Sequence, residues 1–420
     1  MKCIYRSYNR SPTAIDFQQP KPTHQIYKNT PCMLCLSNCP AMASSSSSSP
    51  SSPPSLNLIL LLLGLFFNGS HCDKVLPYTS LFSFGDSLAD TGNFLLSGAH
   101  AFPSIGLSPY GETYFAHPTG RCSDGRLIVD FFAEAIRIPY LASYLSRSHG
   151  IQEDFTNGSN FAVAGATALD PSFFQNKGLD HSLWTDSSLS VQLGWFEELK
   201  PSLCNTSLEC EAYFNKSLFL LGEIGGNDYN YAFFNHVSME ELRTAYVPRV
   251  VDAIKSAAER LIGLGVMNFV VPGNLPIGCS TIYLTLLSSP DKMDYDSRNG
   301  CLKTLNSFAE YHNAVLQRAL EQLREEHPRV KIVYADYYQA AIRFFHSPQS
   351  FGFGNGSRSA CCGGGGPYNF NPSVWCGQPG ATVCEDPSKH VNWDGIHPTE
   401  AAYRLIADGL INGPYASPSI

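Results

Sequence analysis

The chain has 420 residues, of which 44% are hydrophobic and 12% are aromatic, so it can bury the core of one large domain or of two ordinary ones. Only 15% of the residues are charged, against ~25% in typical globular proteins, which argues against extensive disorder. The formal net charge of -8, without any run of Lys and Arg, argues against a nucleic-acid partner because phosphate binding needs a basic patch. Fourteen cysteines are typical of an oxidised, exported protein.

The N-terminal region has the pattern of an export signal. Residues 56–67 form an almost uninterrupted apolar run, which has the length of a signal-peptide core and is too short to span a bilayer. We therefore predict a signal peptide at residues 42–71, with cleavage near residues 70–72. Met42 and the serine-rich stretch after it are typical of a natural start, so we interpret residues 1–41 as a disordered upstream extension. No later segment is apolar for long enough to form a stable membrane span.

Sequons and cysteines give two further indications. Four Asn-x-Ser sequons, the acceptor sites of N-linked glycans, follow the signal region at Asn157, Asn205, Asn215 and Asn355. Together with the cysteines and the signal peptide, they indicate a secreted protein. Cys32, Cys35 and Cys39 have a spacing that can bind zinc or part of an iron–sulfur cluster, but no fourth ligand follows at a convincing distance. We therefore expect no metal site.

Beyond the signal region, short apolar runs alternate with helical patterns. Four runs are predicted to be buried strands: residues 79–84, 217–222, 266–271 and 330–335. Helices are predicted at residues 127–138, 304–326 and about 398–410. The clearest helix begins at residue 247, where apolar residues recur at the i, i+3, i+4, i+7 spacing that places them on one face: Val247, Val250, Val251, Ile254, Ala257, Ala258, Leu261 and Ile262.

This alternation of strands and helices predicts an α/β fold. Short apolar strands separated by amphipathic helices form a parallel sheet that is covered on both faces. No internal repeat and no linker divides the region, so we assign residues 77–413 to a single domain. In such sheets the active site lies beyond the carboxyl ends of the strands, and the glycine-rich turns at Ser87 and Asn227 both fall there.

Ser87 is the candidate nucleophile. It follows the first predicted strand in the turn Gly85-Asp86-Ser87, where its hydroxyl is exposed next to free backbone N–H groups. Taken alone, such a serine is more often an N-cap of the following helix than a nucleophile. We interpret the nearby Asp86 and Asp90, and also Asp228, as residues that fix loops rather than as catalytic acids.

The other end of the chain supplies a base and an acid. Asp394 precedes His397 by three residues, just ahead of the last predicted helix. In a tight turn this spacing lets Asp394 accept a hydrogen bond from one imidazole nitrogen, while the other nitrogen faces Ser87. The alternative is that Asp394 merely forms the turn and His397 merely flanks the helix.

Asn227 and Gly165 are candidates for the oxyanion hole. Asn227 follows a strand in the turn 225–228 and could point its side-chain amide at an oxyanion, and Gly165 could offer its backbone N–H at close range. The structural alternatives are an Asx-turn for Asn227 and a packing glycine for Gly165.

The four motifs occur together and in one order, and in this the chain resembles the GDSL (SGNH) family of esterases and lipases, in particular its secreted plant branch. The resemblance rests on residues 85–88, 160–165, 225–228 and 394–397, and on the intervening segments 115–130 and 271–279. It covers roughly residues 77–413 and departs at none of the four catalytic positions. The N-terminal region is not part of it.

The resemblance implies both a fold and a mechanism. The fold would be a flavodoxin-like three-layer α/β/α sandwich with a mainly parallel sheet, and the absence of a Gly-x-Ser-x-Gly elbow around Ser87 separates it from the α/β-hydrolases. Ser87 would be the nucleophile and the first oxyanion donor, with Gly165 and Asn227 completing the hole. His397 would be the base and Asp394 would orient it. The chemistry would need no metal and no organic cofactor, and the protein would act in the cell wall or apoplast.

Three functions remain open at this point. The first is hydrolysis of carboxylic esters of lipids or small molecules through an acyl-enzyme. The second is acyl transfer to an alcohol by the same triad, and the third is a non-catalytic secreted binding protein on the same fold. Substrate identity and oligomeric state do not follow from the sequence. From their closeness in the sequence, Cys204 with Cys210, Cys279 with Cys301 and Cys376 with Cys384 are plausible disulfides, and Cys361-Cys362 begins a disulfide-anchored loop.

Overall fold

The fold is built on ten strands and the helices between them. The computed structural model describes residues 74–420 except residues 100, 151–152 and 355. In this part of the chain the strands are β1 Ser80–Phe84, β2 Gly158–Asn160, β3 Ser217–Leu221, β4 Asn268–Pro272, β5 Lys331–Ala335, β6 Gly356–Ala360, β7 Cys362–Gly363, β8 Thr382–Val383, β9 His390–Asn392 and β10 Ala416–Ser417. The predicted extension (1–41), the signal peptide (42–71), the Cys32, Cys35 and Cys39 cluster and the sequon at Asn355 lie outside the described residues and stay predictions.

The helices fall between the strands. They are α1 Asn93–Leu96, α2 Ile128–Ile136, α3 Pro171–Asn176, α4 Leu189–Leu203, α5 Ser207–Phe214, α6 Gly226–Phe234, α7 Met239–Glu241, α8 Val247–Gly263, α9 Thr281–Leu286, α10 Lys303–Glu326, α11 Tyr337–His346 and α12 Glu400–Ile411. A π-helical turn, Leu242–Tyr246, joins α7 to α8.

Six strands form the central sheet, in the order β10-β5-β4-β3-β1-β2. All of its pairs are parallel except the one between β10 and β5. In the middle of the sheet Phe82 lies opposite Phe219, and Phe219 lies opposite Phe269. The mainly parallel sheet that the alternating pattern predicted is confirmed.

The sheet is buried on both faces. Phe82 and Phe84 of β1 belong to one hydrophobic cluster, which contains residues of α4, α8 and α10, whereas Leu81 belongs to a second cluster with residues of α2, α11 and α12. Successive side chains of a strand point to opposite faces of the sheet. A strand that is apolar at every position therefore contributes side chains to the cores on both faces. The result is a three-layer α/β/α sandwich, as expected.

The predicted elements match the observed ones with small shifts of their ends. The four strand predictions correspond to β1, β3, β4 and β5, and the long helical pattern is α8. The last helix begins at Glu400 rather than at Pro398, because the side chain of Thr399 accepts a hydrogen bond from the backbone N–H of Ala402 and caps the helix there. The three-residue edge strand β2 was missed, since it is too short to show a pattern.

Candidate active site

Ser87, His397 and Asp394 meet at the carboxyl end of the sheet. Ser87 lies in the turn after β1, and the other two lie between β9 and α12. The Nε2 atom of His397 is 2.8 Å from the Oγ of Ser87, and its Nδ1 atom is 2.8 Å from Oδ2 of Asp394. The exposed fractions of Ser87, His397 and Asp394 are 6%, 1% and 1%. A serine, an imidazole and a carboxylate thus form one hydrogen-bonded chain that is largely shielded from water.

The loop that carries the acid and the base is fixed by its own backbone. Oδ1 of Asp394 accepts hydrogen bonds from the backbone N–H groups of Ile396 and His397, at 3.0 and 2.9 Å. Gly395 between them has φ +107°, and a Cβ atom there would lie 2.3 Å from the ring of Phe370, so only glycine fits. The spacing Asp-x-x-His therefore places both side chains on the same side of one tight turn.

The surroundings keep Asp394 ionised. Its burial alone would raise the pKa, but the adjacent His397 and the hydrogen bonds from His397 and Ile396 outweigh burial and lower the pKa of Asp394 below its usual value. An ionised Asp394 can hold the imidazole in the tautomer with a proton on Nδ1, which leaves Nε2 free to accept a proton from Ser87.

Asp90 fixes the segment that carries Gly165. The carboxylate of Asp90 accepts hydrogen bonds from the backbone N–H groups of Gly92, Asn93 and Phe94, and from that of Ala164 in the neighbouring segment. Gly165 has φ +81°, and a Cβ atom there would lie 2.6 Å from the side chain of Trp184. The glycine is therefore required by both conformation and space.

Asn227 lies at the start of α6, close to the same turn. Its Nδ2 atom donates to Oδ2 of Asp86 at 3.0 Å and to the carbonyl oxygen of Ala166 at 3.1 Å. These two acceptors account for both amide hydrogens. Donation to an oxyanion would therefore require Asn227 to release one of the two bonds.

Two cavities open at Ser87. One is lined by the polar residues Asp86, Glu223 and Asn274 and by apolar side chains such as Phe344 and Ile406. The other has aromatic and polar walls, to which Ser87, His397, Trp184, Tyr231, Phe234 and Trp375 contribute. Both cavities therefore reach the Ser87 side chain.

Among the residues that the structure describes, no cluster of three or more His, Cys, Asp or Glu side chains could hold a metal ion. In the same part of the chain, none of the helices combines the length and the apolar character needed to cross a membrane.

Comparison with known proteins identifies the family to which this fold belongs. The family model described as GDSL-like lipase/acylhydrolase matches residues 81–410, a range that includes Ser87, Asp394 and His397. The chain belongs to this family. Membership makes the protein a carboxylester hydrolase.

Relatives in plants are similar over most of their length. A GDSL esterase/lipase of Arabidopsis thaliana is 54% identical over 346 residues, which cover 82% of this chain and 93% of the relative. A second one from the same plant is 52% identical over 343 residues, covering 81% and 84% of the two chains. The sinapine esterase of Brassica napus is 47% identical over 344 residues, covering 81% and 87%.

The sequence prediction missed two residues next to the candidate site. The hydroxyl of Tyr110 donates to Oδ2 of Asp394 at 2.8 Å, and burial raises the pKa of Tyr110 well above its usual value, so it remains a donor. Glu223 lies next to Asp86 and lines the same cavity as Ser87. Tyr110 could not be found from the sequence because it is 284 positions from Asp394. Glu223 lies just before the turn 225–228, but its contact with Asp86 joins segments that are distant in the chain.

The disulfides agree with the predicted pairs in two of three cases. Cys204–Cys210 and Cys279–Cys301 are both present. The pair Cys376–Cys384 is wrong: Cys376 bonds to Cys362, and Cys384 bonds to Cys361. Closeness in the sequence did not predict this pairing, because the loop that begins at Cys361 and Cys362 folds back on itself. Each of the two adjacent cysteines thereby meets a different partner.

Proposed function

We propose that the protein hydrolyses carboxylic esters of lipids or small molecules through an acyl-enzyme on Ser87. The observation that carries the proposal is the pair of 2.8 Å contacts in which His397 Nε2 accepts from the Ser87 hydroxyl and His397 Nδ1 donates to Asp394. His397 takes the proton of the Ser87 hydroxyl as its oxygen attacks the ester carbonyl carbon. The protonated imidazole then gives this proton to the departing alcohol. Water, activated by the same imidazole, attacks the acyl-enzyme and releases the carboxylic acid.

The negative charge that develops on the carbonyl oxygen needs hydrogen-bond donors. We assign this role to the backbone N–H groups of Ser87 and Gly165 and to the side-chain amide of Asn227, which releases one of its two hydrogen bonds when the oxyanion forms. The first two N–H groups donate no hydrogen bond to another described residue, so they are free to bind the oxyanion. In such sites one donor contributes ~10²–10³ to the rate.

Replacement of Ser87 by Ala tests the mechanism. We expect Ser87→Ala to lower kcat by at least about 10³-fold, because the nucleophile is lost while the fold is kept. The assay follows acid release from p-nitrophenyl acetate and butyrate. In parallel, a fluorophosphonate probe should label the wild type at Ser87 and leave the variant unlabelled. A folded wild-type protein that the probe fails to label would instead favour a non-catalytic binding protein.

We also propose that the mature protein is a secreted single catalytic domain at residues 77–413. The four disulfides found among the described residues and the exposed sequon residues Asn205 and Asn215 support this route, whereas Asn157 is half-buried and its Nδ2 donates to the carbonyl of Thr79 at 3.2 Å. Peptide mapping of the purified protein tests the proposal. A mature chain that still contains residues 42–66 would contradict it.

A further inference from the structure

Asn274 differs from every other asparagine that lines the polar cavity at Ser87. It follows β4 and Gly273, and only 2% of it is exposed. Its backbone N–H donates to Oδ1 of Asn313 at 2.7 Å, and its backbone oxygen accepts from Nδ2 of Asn313 at 3.0 Å. Since α10 thereby fixes the backbone at two points, the position of the Asn274 side chain at the cavity is set by the fold.

The side chain of Asn274 is left without partners. Neither its Nδ2 nor its Oδ1 makes a hydrogen bond to any other described residue, although both atoms are buried. The other asparagines of the cavity are bonded: Asn227 to Asp86, Asn230 to Asn227, and Asn392 to the backbone of Ser357. Leaving a buried amide unpaired costs free energy, which functional sites tolerate when a ligand completes the bonds.

The charges near Asn274 indicate which ligand fits. Burial, together with the charge of Asp86, raises the pKa of Glu223 well above its usual value, which favours the neutral acid as a hydrogen-bond donor to Asp86. The Asp86 carboxylate also accepts from the backbone N–H of Leu88 and from Asn227. Because protein donors already stabilise the Asp86 carboxylate, the cavity does not need a cation to neutralise that charge. The amide of Asn274, by contrast, has unpaired donors and an unpaired acceptor to which a ligand can bond.

We propose that Asn274 forms a subsite for a hydroxyl group of the ester substrate. A hydroxyl is a neutral group that both donates and accepts hydrogen bonds at one oxygen, so it can bond to both free atoms of the amide. The inference rests on the proposed function, since it assumes that Ser87 is the nucleophile.

The spacing of the strands indicates how far the hydroxyl group of the substrate lies from its ester carbonyl carbon. β4 is separated from β1 by β3 alone, so the two strand ends lie about 10 Å apart at the usual spacing of ~4.8 Å per strand. If the Ser87 hydroxyl and the Asn274 amide are separated by this strand spacing, subtracting a contact of ~3 Å at each end leaves roughly 4 Å, or about three to five covalent bonds from the ester carbonyl carbon to the hydroxyl oxygen.

Matched esters test the subsite. One pair varies the alcohol, 2-hydroxyethyl butanoate against propyl butanoate, and the other varies the acid, methyl 5-hydroxypentanoate against methyl hexanoate. We expect the wild type to favour the hydroxyl member of one pair by at least about 10-fold in kcat/KM. In Asn274→Leu the preference should fall below about 2-fold, while the apolar member is still hydrolysed. Comparing the ratios between variants cancels the intrinsic reactivity of the esters.

Controls separate this inference from the proposed function. Leu275→Ala, at the next residue lining the same cavity, should change rates for both members of a pair and keep the hydroxyl preference. Fluorophosphonate labelling of Ser87 tests the mechanism without any ester. If Ser87 is labelled but the wild type shows no preference in either pair, or Asn274→Leu keeps it, the subsite is refuted while the mechanism stands.

A stability measurement gives a second readout that needs no substrate. If the unpaired amide is retained for binding, Asn274→Leu should raise the midpoint of thermal unfolding by about 2 °C. A lower midpoint would mean that Asn274 has a structural role. A further variant, Asn274→Ser, keeps a polar group that is too short to span the same distance. It should lose the preference for the hydroxyl ester. If Asn274→Ser keeps the full preference, the inference is overturned.

Discussion

The carboxylate of Asp394 depends on more than the residues of its own loop. Its Oδ2 accepts hydrogen bonds from both His397 and Tyr110, and the tyrosine reaches it from a loop far away in the sequence. Tyr110 and Asp394 are both almost wholly buried, so this hydrogen bond is not weakened by competition with water. We therefore regard Tyr110 as a residue that positions the proposed triad.

Replacement of Tyr110 by Phe should slow the reaction without unfolding the protein. Loss of this bond leaves Asp394 with one donor fewer, and a cost of about 1–1.5 kcal/mol corresponds to roughly a 5- to 12-fold fall in kcat. KM should stay nearly constant, because Tyr110 contacts Asp394 rather than the substrate. Steady-state kinetics of the purified variant measure both constants.

The chain offers a matched control for this variant. Tyr403 is equally buried, but its hydroxyl has no hydrogen-bond partner among the described residues. Tyr403→Phe should therefore leave kcat unchanged and keep or increase stability. If both variants lose activity to the same extent, the loss does not arise from the bond to Asp394.

At the scale of elements, α6 and α10 are joined by a buried polar contact. The hydroxyl of Tyr229, two residues after Asn227, lies 2.8 Å from Nδ1 of His312 on α10. Burial lowers the pKa of His312 to about 3, so the imidazole is neutral in the folded protein. The helix that carries a proposed oxyanion donor is thus held by a histidine that cannot be protonated without cost.

This histidine makes stability depend on pH. In the unfolded chain His312 has its ordinary pKa of 6.5. Below that pH the unfolded state therefore binds a proton that the folded state does not bind. Its contribution is fully present above pH 6.5 and is lost as the pH falls toward 3. Between pH 7 and pH 5 the free energy of unfolding should decrease by about 2 kcal/mol from this group.

Denaturant unfolding of the wild type and of His312→Asn at both pH values measures this contribution. Asparagine keeps a polar group near the Tyr229 hydroxyl and does not titrate, so the variant should lose about 2 kcal/mol less than the wild type on acidification. Equal losses in the two proteins would show that His312 is not the group responsible.

At the scale of the whole molecule, backbone hydrogen bonds and a buried ion pair hold the loop that contains Asp394 and His397. Cys361 and Cys362 donate their backbone N–H groups to the carbonyl oxygens of Asn392 and Trp393, directly before Asp394. On the other side of this loop, Arg126 forms an ion pair with Glu400 at 2.6 Å. The loop is therefore anchored at both of its ends.

Removal of the Cys362–Cys376 bond should destabilise the protein. This bond closes a loop with a sequence separation of 14 residues, for which the entropic contribution is about 3 kcal/mol. The double variant Cys362→Ala/Cys376→Ala should lose approximately this free energy of unfolding in non-reducing denaturant titrations. Cys122→Ala, which removes a buried thiol that forms no disulfide with another described cysteine, should cost less than half as much.

Much of the fold followed from local pattern. The apolar runs predicted β1, β3, β4 and β5, and the periodicity predicted α8, because burial on both sides of a parallel sheet leaves a strong signature in the sequence. The edge strand β2 and the pairing of Cys376 could not be obtained in this way. A three-residue strand has no period, and a disulfide partner depends on how the loop between the cysteines folds.

The sequence by itself determined the residue types and the order of the catalytic motifs, and with them the candidates Ser87, Asp394 and His397. It did so because each motif occupies a short turn whose shape is set by local bonds, as in the loop from Asp394 to His397. Only the tertiary structure decided what lies around them: the hydroxyl of Tyr110 on Asp394, the acid pair of Asp86 and Glu223, and the unpaired amide of Asn274. These contacts join segments that are distant in the chain, and they are fixed by the packing of the strands and helices rather than by any local pattern.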